Sequence, residues 1–422
     1  MAFLQPFLDL LPSRLEQAFG HRTTRSLRVR WRRWYTRVSR PAASLQRPRL
    51  FIDLAVISKH DAGTGIQRVV RAIALAVIDV KAMEWDIHFV AATRRRRYHL
   101  ISWPDPEPVP RFEILRARPG DVFLGLDYSL DAVRRHRRQL AAFRRDGGQL
   151  WFLVHDLLPL EKPEWFSRNT VIRYRAWLGI LADMADGFLC NSQQTDLDLR
   201  RNLEQEFGLR HGYVSRVLPM GHDIAESAIR QHEATQPLRI GKGPAFFLMV
   251  GTLEPRKGHA DILAAFDRLW RAGSPERLVL VGRMGWQVDD LRQTILEHPE
   301  RGQRLFWFDD VDDSELYKLY EKCNGSIIAS FGEGFGLPVI ESLGHGKPVL
   351  ARDLPVFRPH AGAGVQYFPV DADNETLEDC LRRWIANVAA GQIIVQRPDT
   401  CWRNSALVLL DALNDSRPSQ TK

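Results

Sequence analysis

Runs of apolar and β-branched residues recur along the first half of the chain, and segments with helical periodicity separate several of them. The predicted strands are Leu50–Ile57, Ile87–Ala91, Val122–Leu126, Leu150–Leu153, Gly187–Cys190 and Val214–Leu218. Helices are predicted over Ile66–Val80 and Leu130–Arg145, among others. Apolar strands that alternate with helices are typical of a parallel sheet covered on both faces.

A second and more regular β/α series begins at Phe246. Its predicted strands are Phe246–Val250, Leu278–Val281, Leu305–Phe308, Ser326–Ala329 and Pro348–Ala351. Its predicted helices are Ala260–Ala272, Val288–Glu297, Ser314–Lys322 and one that starts near Pro338. The pattern predicts an α/β protein with two doubly wound, Rossmann-like domains that face a cleft and bind ligand at the carboxyl ends of their strands.

These elements divide the 422 residues into four predicted parts. They are a basic, amphipathic N-terminal helical extension at 1–45, a domain at 46–235, a domain at 236–398, and a C-terminal helix and tail at 399–422. The polar segment Ala225–Gly243 is predicted to be the linker between the two domains. The last helix is predicted over Thr400–Leu413.

Charge is concentrated near the N-terminus. The formal net charge is +8, and the segment Arg14–Arg40 contains nine arginines and one acidic residue, Glu16, so the rest of the chain is close to neutral. Hydrophobic residues make up 45% and charged residues 26% of the chain, which excludes disorder as its main state.

The basic segment also carries Trp31, Trp34 and Tyr35. Three interpretations stay open: contact with an anionic inner-leaflet surface, contact with nucleic acid phosphate, or a solvated helix. No apolar stretch reaches the roughly 18 residues of a spanning helix. Asp9 interrupts the apolar start, which does not resemble a cleaved signal peptide. We therefore expect a cytoplasmic protein whose membrane contact, if it has one, is peripheral and on the cytoplasmic face of the inner membrane.

The cysteines Cys190, Cys323, Cys380 and Cys401 show no paired metal-ligand spacing. This pattern predicts reduced thiols, which fits a cytoplasmic protein.

The most informative stretch, Ser330–Glu341, is a glycine-rich loop between a predicted strand and a predicted helix. A helix N-terminus presents free N–H groups that favour anions. Glu333 lies in the loop, and a carboxylate flanked by glycine there suits the binding of ligand hydroxyls. Glu341 is predicted in the first helical turn, where capping of the helix is the alternative interpretation.

A second loop, Val250–Gly258, also joins a strand to a helix and carries Arg256 and Lys257. Two adjacent cations beside a helix start resemble a phosphate clamp. A solvated turn would be the preferred interpretation for these two residues alone. However, this loop follows a strand and precedes a helix in the same domain as the Glu333 loop. This equivalent position favours a functional role for Arg256 and Lys257.

Two weaker signals lie in the first domain. Asp61–Arg68, which includes Gly65, resembles a phosphate-approach loop but lacks a complete dinucleotide or P-loop motif, so a plain turn is equally supported. His155 and Asp156 follow a predicted central strand, where catalytic or acceptor-binding residues lie in doubly wound sheets. A purely structural histidine is the alternative.

Taken together, these motifs resemble the retaining GT-B glycosyltransferases of family 4, in particular mannosyltransferase-type members of polysaccharide biosynthesis. The sequence E-G-F-G-L-P-x-x-E, from Glu333 to Glu341, carries the resemblance, together with the preceding V-G-T-L-E-P-R-K-G and L-V-L-V-G motifs. It is strong over residues 245–355, weaker over 50–225, and absent over 1–45.

The resemblance implies that the domain at 236–398 binds a nucleotide sugar and that the domain at 46–235 lies on the acceptor side. Catalytic roles would fall to His155, near the reacting sugar, and to Glu333, at the donor-sugar hydroxyls. Glu341 would bind the ribose. The remaining donor-binding residues would be Gly65, Arg256, Lys257, Gly334, Phe335, Gly336 and Leu337. Many members have arginine where this chain has Thr252, and Arg256 is the candidate replacement.

The resemblance further implies a nucleotide-sugar substrate, with GDP-mannose as the expected donor, a lipid-linked saccharide acceptor and no cofactor. Neither a D-x-D pair nor another metal-ligand motif is evident, so we expect no essential metal. Three alternatives stay open: a soluble transferase that uses a UDP-hexose and a small acceptor, a GT-B sugar-nucleotide epimerase, and a nucleic-acid-binding protein. The neutral remainder of the chain and the two glutamates argue against nucleic acid.

Overall fold

The computed structural model describes residues 47–61, 63–80, 84–105, 113–223 and 238–416, so the predicted basic extension at 1–45 lies outside the described residues. The described chain forms two compact α/β units. The first unit contains the residues up to Pro219 together with the segment that begins at Trp402, and the second runs from Met220 to Cys401.

The sheet of the first unit has seven strands within the described ranges, in the order β3-β2-β1-β4-β5-β6-β7. Their bounds are β1 Arg49–Asp53, β2 Asp86–Ala91, β3 His99–Ile101, β4 Val122–Gly125, β5 Gln149–Val154, β6 Gly187–Cys190 and β7 Val214–Val217. Neighbouring strands pair in parallel, except that β2 and β3 form an antiparallel pair at one edge. The antiparallel strand β3 was not predicted.

Helices cover the faces of this sheet. They are α1 Gly65–Asp79, α2 Leu130–Arg145, α3 Leu158–Glu161, α4 Arg168–Met184 and α5 Gln193–Phe207. Helix α1 begins with a capping box, in which the Thr64 side chain accepts from the Gln67 N–H and the Gln67 side chain accepts from the Thr64 N–H. Its buried face includes Val70, Ile73 and Val77, so apolar periodicity and capping both specify this helix.

The sheet of the second unit has six strands within the described ranges, all parallel, in the order β10-β9-β8-β11-β12-β13. Their bounds are β8 Phe246–Val250, β9 Arg277–Val281, β10 Leu305–Phe308, β11 Gly325–Ile328, β12 Val349–Arg352 and β13 Val365–Phe368. The helices are α6 His259–Arg271, α7 Asp289–Leu296, α8 Asp313–Lys322, α9 Leu337–Gly344 and α10 Asn374–Ala389. The predicted fold class of two Rossmann-like units is confirmed.

The last helix, α11 at Trp402–Asp415, belongs to the first unit and packs against α1. Ser405 Oγ donates to the Pro219 carbonyl at 2.5 Å, and Trp85 Nε1 donates to Asn414 Oδ1 at 3.1 Å. The chain therefore leaves the first unit after Pro219 and returns to it at Trp402. The predicted boundary between residues 235 and 236 lies outside the described residues.

Strand β1 ends four residues before the predicted limit at Ile57. The Asp53 carboxylate accepts the Ala55 N–H at 2.9 Å, and Asp127 Oδ2 accepts the N–H groups of Val56 and Ile57 at 2.6 and 2.9 Å. Buried carboxylates thus replace the strand ladder, although Ile57 itself is buried. Apolar composition predicts burial here but not strand conformation.

Among the described helices, none combines the length and hydrophobicity that a bilayer-spanning segment requires.

We expect Leu409→Ala in α11 to lower the free energy of unfolding of the first unit by about 2–5 kcal/mol, because Leu409 is fully buried and truncation leaves a cavity. The matched control is Leu407→Ala on the same helix, where the side chain is 43% exposed and the change should stay within about 0.5 kcal/mol. Urea unfolding of both variants makes the comparison. Equal changes in the free energy of unfolding for the two variants would show that α11 does not pack into the core of the first unit.

Candidate active site

Two loops meet at the carboxyl edge of the second unit's sheet, where the strand order reverses between the paired strands β8 and β11. One loop follows β8 and contains Arg256 and Lys257, and the other follows β11 and contains Glu333. Doubly wound sheets bind ligands at this kind of reversal. The structure therefore brings the two sequence-predicted loops together.

Backbone contacts hold the two loops against each other. The Phe331 N–H donates to the Arg256 carbonyl at 2.8 Å, and Arg256 Nη1 donates to the Gly332 carbonyl at 3.2 Å. Gly258 has a φ of +71°, and a Cβ there would lie 2.4 Å from the Ala329 carbonyl oxygen. Only glycine satisfies both the left-handed backbone and this close approach.

Glu333 is the centre of the charge cluster, with a side chain only 12% exposed. Lys257 Nζ donates to Glu333 Oε1, Ser330 Oγ donates to the same oxygen at 2.6 Å, and Arg256 Nη1 lies 3.9 Å from Oε2. Burial alone would raise the pKa of Glu333, but Lys257, Arg256 and the hydrogen bonds outweigh it and hold the pKa below its ordinary value. Glu333 is therefore an ionised hydrogen-bond acceptor at neutral pH.

Arg256 and Lys257 both pair with carboxylates. In a solvated turn, the alternative interpretation of this loop, their side chains would point into solvent. Arg256 Nε donates to Glu254 Oε2 at 2.9 Å. An ammonium carries three N–H donors and a guanidinium five, so each of these side chains can contact more than one acceptor. They can hold Glu333 and still contact a ligand phosphate.

Helix α9 begins directly after the glycine-rich loop. Gly336, at φ +88°, precedes it, and a Cβ there would lie 2.3 Å from the Phe357 ring. Leu337 and Pro338 are its first residues, and no side chain caps it. Pro338 has no backbone N–H and the Val339 N–H donates to the Gly336 carbonyl at 3.0 Å, so the start of α9 offers an anion the Leu337 N–H and the positive end of the helix dipole.

Glu341 lies one turn into α9, not in the first turn as predicted, because the helix begins at Leu337. Its side chain is 3% exposed, and Oε2 accepts the Tyr320 hydroxyl at 2.9 Å. The Tyr320 ring stacks on His345, whose Nδ1 lies 2.8 Å from the Glu341 carbonyl. The alternative of a first-turn cap is therefore wrong, and Glu341 is a buried acceptor held by α8.

Arg352, at the end of β12, was missed by the sequence analysis. It is 1% exposed and donates to the Ala329 carbonyl at 3.0 Å and to Asp261 of α6 at 3.1 Å. Its guanidinium lies 3.7 Å from the centre of the Phe331 ring. Arg352 thus ties the Glu333 loop to α6. The available signal was a cation that directly follows the apolar run Val349–Ala351 at a carboxyl strand end.

His155 and Gly65 lie at the carboxyl edge of the first unit's sheet, as predicted. His155 follows β5, is 5% exposed, and places Nε2 3.3 Å from the Leu126 carbonyl. Burial lowers the pKa of His155 to about 4, so the imidazole is neutral at physiological pH. Gly65 is the first residue of α1, and a Cβ added there would meet no atom within 4 Å.

A buried polar network beside them was also missed. Asp53 accepts the Tyr98 hydroxyl at 3.0 Å and the Ser129 hydroxyl at 2.6 Å. Burial, and then the charge of Asp127, raises the pKa of Asp53 to about 7 despite these hydrogen bonds. The signal was an aspartate that directly follows the apolar run Leu50–Ile52.

Within the described ranges, no cluster of three or more histidine, cysteine, aspartate or glutamate side chains is arranged to hold a metal ion. The cysteines are free thiols, and burial raises the pKa of Cys323 to about 12.

Comparison with known proteins places these residues in a family context. Residues 230–392 match the family described as glycosyl transferases group 1. The chain is 33% identical over 351 residues to the serotype-specific mannosyltransferase WbdA of Escherichia coli, covering 80% of this chain and 41% of WbdA. It is 32% identical over 180 residues to the O-antigen chain mannosyltransferase B of Escherichia coli, covering 40% and 45% of the two chains. The chain thus spans less than half the length of these relatives.

Among solved structures, the glycosyltransferase WaaG, involved in lipopolysaccharide biosynthesis, matches with a TM-score of 0.53 and 15% identity over 88% of this chain and 96% of WaaG. This similarity bears on the fold alone and confirms the predicted GT-B class. Together with the family match, it confirms the resemblance found in the motifs.

We expect Lys257→Met to lower the free energy of unfolding of the second unit by about 3 kcal/mol at neutral pH, because it leaves the Glu333 carboxylate buried without its nearest cation. The folded-state pKa of Glu333 lies below its ordinary value of 4.5, so its contribution is present above pH 4.5 and is lost as the pH falls through the folded-state pKa. The deficit of the variant should therefore shrink in acid. Urea unfolding at several pH values measures it.

The double-mutant cycle with Glu333→Gln separates the ion pair from general packing. Lys257→Met combined with Glu333→Gln should lose less than the sum of the two single losses, since neither charge is then left unpaired. Strictly additive losses would show that the pair contributes no coupling energy.

Proposed function

We propose that this chain, whose residues 230–392 form a glycosyl transferases group 1 domain on a GT-B fold, is a retaining glycosyltransferase that moves mannose from GDP-mannose onto a lipid-linked saccharide in bacterial cell-surface or exopolysaccharide biosynthesis. The observation that carries the proposal is the Lys257–Glu333–Arg256 cluster beside the uncapped start of α9. Relatives that are mannosyltransferases support mannose as the sugar.

The cluster supplies both kinds of contact that a nucleotide sugar needs. Lys257 and Arg256 are proposed to donate to the diphosphate, and the start of α9, reached through Gly334–Leu337, adds the Leu337 N–H and the positive end of its dipole. Glu333, held ionised by the same two cations, accepts hydrogen bonds from the donor-sugar hydroxyls. Glu341, fixed by Tyr320, is proposed to bind the ribose.

Catalysis follows from the leaving group, a nucleoside diphosphate on which negative charge develops. Preorganised donors aimed at that charge stabilise the transition state more than the ground state. The fixed Lys257, Arg256 and helix N-terminus meet this requirement, because the two loops hold each other in place. A phosphate oxygen of the leaving group is proposed to take the acceptor proton.

His155 is proposed to act near the reacting sugar as a neutral hydrogen-bonding group. With Nε2 directed at the Leu126 carbonyl, Nδ1 is left to accept a hydrogen bond from a sugar hydroxyl. A pKa of about 4 makes proton transfer through an imidazolium unfavourable at neutral pH. Gly65, with open space beside it, is proposed to allow the diphosphate close to the start of α1.

We further propose a cytoplasmic location, peripheral on the inner membrane, with contact through the basic segment at residues 1–45 and no nucleic-acid partner. The arginines and aromatic residues of that segment support contact with an anionic headgroup surface.

We expect purified protein to release nucleoside diphosphate from GDP-mannose, and Glu333→Ala to reduce the rate by on the order of 10²–10³. The matched control is Glu321→Ala, whose side chain is 51% exposed on α8 and should leave the rate unchanged. Assays with UDP-glucose and UDP-N-acetylglucosamine run in parallel. Release from a UDP-sugar alone would overturn GDP-mannose as the donor.

Two other results would overturn more of the proposal. Conversion of the donor to another sugar nucleotide without an acceptor would indicate an epimerase. Failure to bind any of the three donors would show that the cluster is not a nucleotide-sugar site.

We expect turnover to survive chelation, because Arg256, Lys257 and the α9 N-terminus supply the positive charge that a divalent cation supplies elsewhere. The measurement is donor turnover in the presence of EDTA, followed by addition of manganese. Activity lost to the chelator and restored by manganese would contradict the proposal of a metal-independent reaction.

A further inference from the structure

The first unit carries a second concentration of arginines, separate from the N-terminal segment. Arg94–Arg97 form the turn between β2 and β3, and all four are exposed. Arg134, Arg135 and Arg138 are exposed on α2. We refer to these seven residues as the basic surface. Across 93–98 and 130–139 the chain carries eight arginines and a single carboxylate, Asp131.

The turn is well ordered by its own hydrogen bonds. The Thr93 N–H donates to the Arg96 carbonyl at 2.9 Å, and Thr93 Oγ1 accepts the N–H groups of Arg95 and Arg96 at 3.2 and 2.9 Å. The four arginines are therefore displayed on a defined backbone.

Helix α2 lies directly against this turn. His136 Nε2 lies 2.7 Å from the Thr93 carbonyl, and the Gln139 side chain pairs with both the N–H and the carbonyl of Tyr98 at 2.9 Å. The helix departs from helical geometry at His136 itself. These contacts place the arginines of the turn and of the helix on one continuous surface.

Most buried or half-buried arginines of this unit have carboxylate partners, for example Arg49 with Asp121 and Arg144 with Asp186. In the part of the chain that the structure describes, the guanidinium groups of Arg94–Arg97 have no such partner. The carboxylate of Asp131 is shared between Arg173 at 2.7 Å and Arg134 at 3.6 Å, so it neutralises only one part of the surface. Unpaired like charges repel one another, so the basic surface is complementary to an anionic partner.

The geometry favours an extended partner over a compact one. Arg94 lines one depression, of about 250 Å³, together with Lys59, while Arg95–Arg97 line another, of about 580 Å³, together with Ile114. The two depressions are separate, so a partner that extends across both contacts more of the basic surface than a compact anion does. Single-stranded nucleic acid is held by aromatic stacking as well as by charge. Among the described residues, Tyr128 lines the smaller depression and no aromatic ring lines the larger one.

We propose that the basic surface docks the first unit on an anionic phospholipid bilayer. Each arginine next to anionic headgroups raises membrane partitioning by a factor of about five. The four arginines of the turn together therefore account for a factor of roughly 10²–10³.

This docking places the carboxyl edge of the first unit's sheet at headgroup level. The turn follows the carboxyl end of β2, and α2 follows that of β4, so the basic surface lies at the edge that also holds His155 and Gly65. A lipid-linked acceptor carries its phosphate at the same level. The statement about the acceptor rests on the proposed function, whereas the docking of the basic surface on a bilayer does not.

The test is co-sedimentation of the full chain with vesicles of phosphatidylglycerol and phosphatidylcholine, compared with vesicles of phosphatidylcholine alone. The variant R94Q/R95Q/R96Q/R97Q should partition roughly 10²-fold or more weakly onto the anionic vesicles. The matched control, R200Q/R210Q/R382Q/R383Q, removes the same charge from exposed positions on other surfaces and should bind like the unmodified chain. Residues 1–45 are present throughout, so the difference reports the turn.

The charge-reversed variant R95E/R96E removes the same four units of charge with only two substitutions, so it should also weaken binding roughly 10²-fold or more. Thermal unfolding confirms that each variant is folded. Equal binding by the turn variant and the control would overturn the proposal. The proposal would also be overturned if the turn variant lost binding to an oligonucleotide but bound anionic vesicles like the control. That result would assign the surface to nucleic acid. Donor turnover without vesicles, measured on the same variants, reports separately on the proposed function and should not change.

Discussion

The ion pair between Lys257 and Glu333 is the interaction on which the candidate site depends. It joins loops that leave neighbouring strands, at the point where the strand order reverses. The close contact of Gly258 with Ala329 and the backbone hydrogen bonds around Arg256 and Phe331 make the pair geometrically possible. In return, the cations hold Glu333 ionised where burial alone would favour the neutral acid. The Lys257–Glu333 ion pair thus fixes the two loops relative to each other and keeps Glu333 ionised, so that Glu333 can accept hydrogen bonds.

The cationic side chains discussed above fall into three groups that differ in burial and pairing. Arg352 is buried and fully engaged, so it positions the Glu333 loop. Lys257 and Arg256 are partly buried and paired with protein carboxylates, and they are the cations that we propose contact a phosphate. Arg94–Arg97 are exposed and unpaired in the described chain, which suits an external anionic surface. Burial and pairing, more than residue type, therefore distinguish the positioning role of Arg352 from the ligand-binding and docking roles that we propose for the other cations.

The parallel sheets explain why these features lie where they do. Buried parallel strands need helices on both faces, and every strand-to-helix loop then emerges at the carboxyl edge. His155 and the start of α1 lie at that edge in the first unit, and the ion-pair cluster lies at it in the second. The return of α11 to the first unit covers α1, so the chain closes that unit with its last helix.

The sequence alone determined most strands, the helices with clear apolar periodicity, both loops and their charged residues, because these features are local and follow from side-chain period, glycine and capping. It did not reveal β3, α4, α5, α10 or β13, and it misplaced Glu341 by a turn. Only the tertiary structure decided the pairing of Lys257 with Glu333, the role of Arg352, the Asp53 network and the union of the turn with α2 into one basic surface. Each of these joins residues far apart in the chain, and burial and charge coupling between such residues exist only once the sheets have formed.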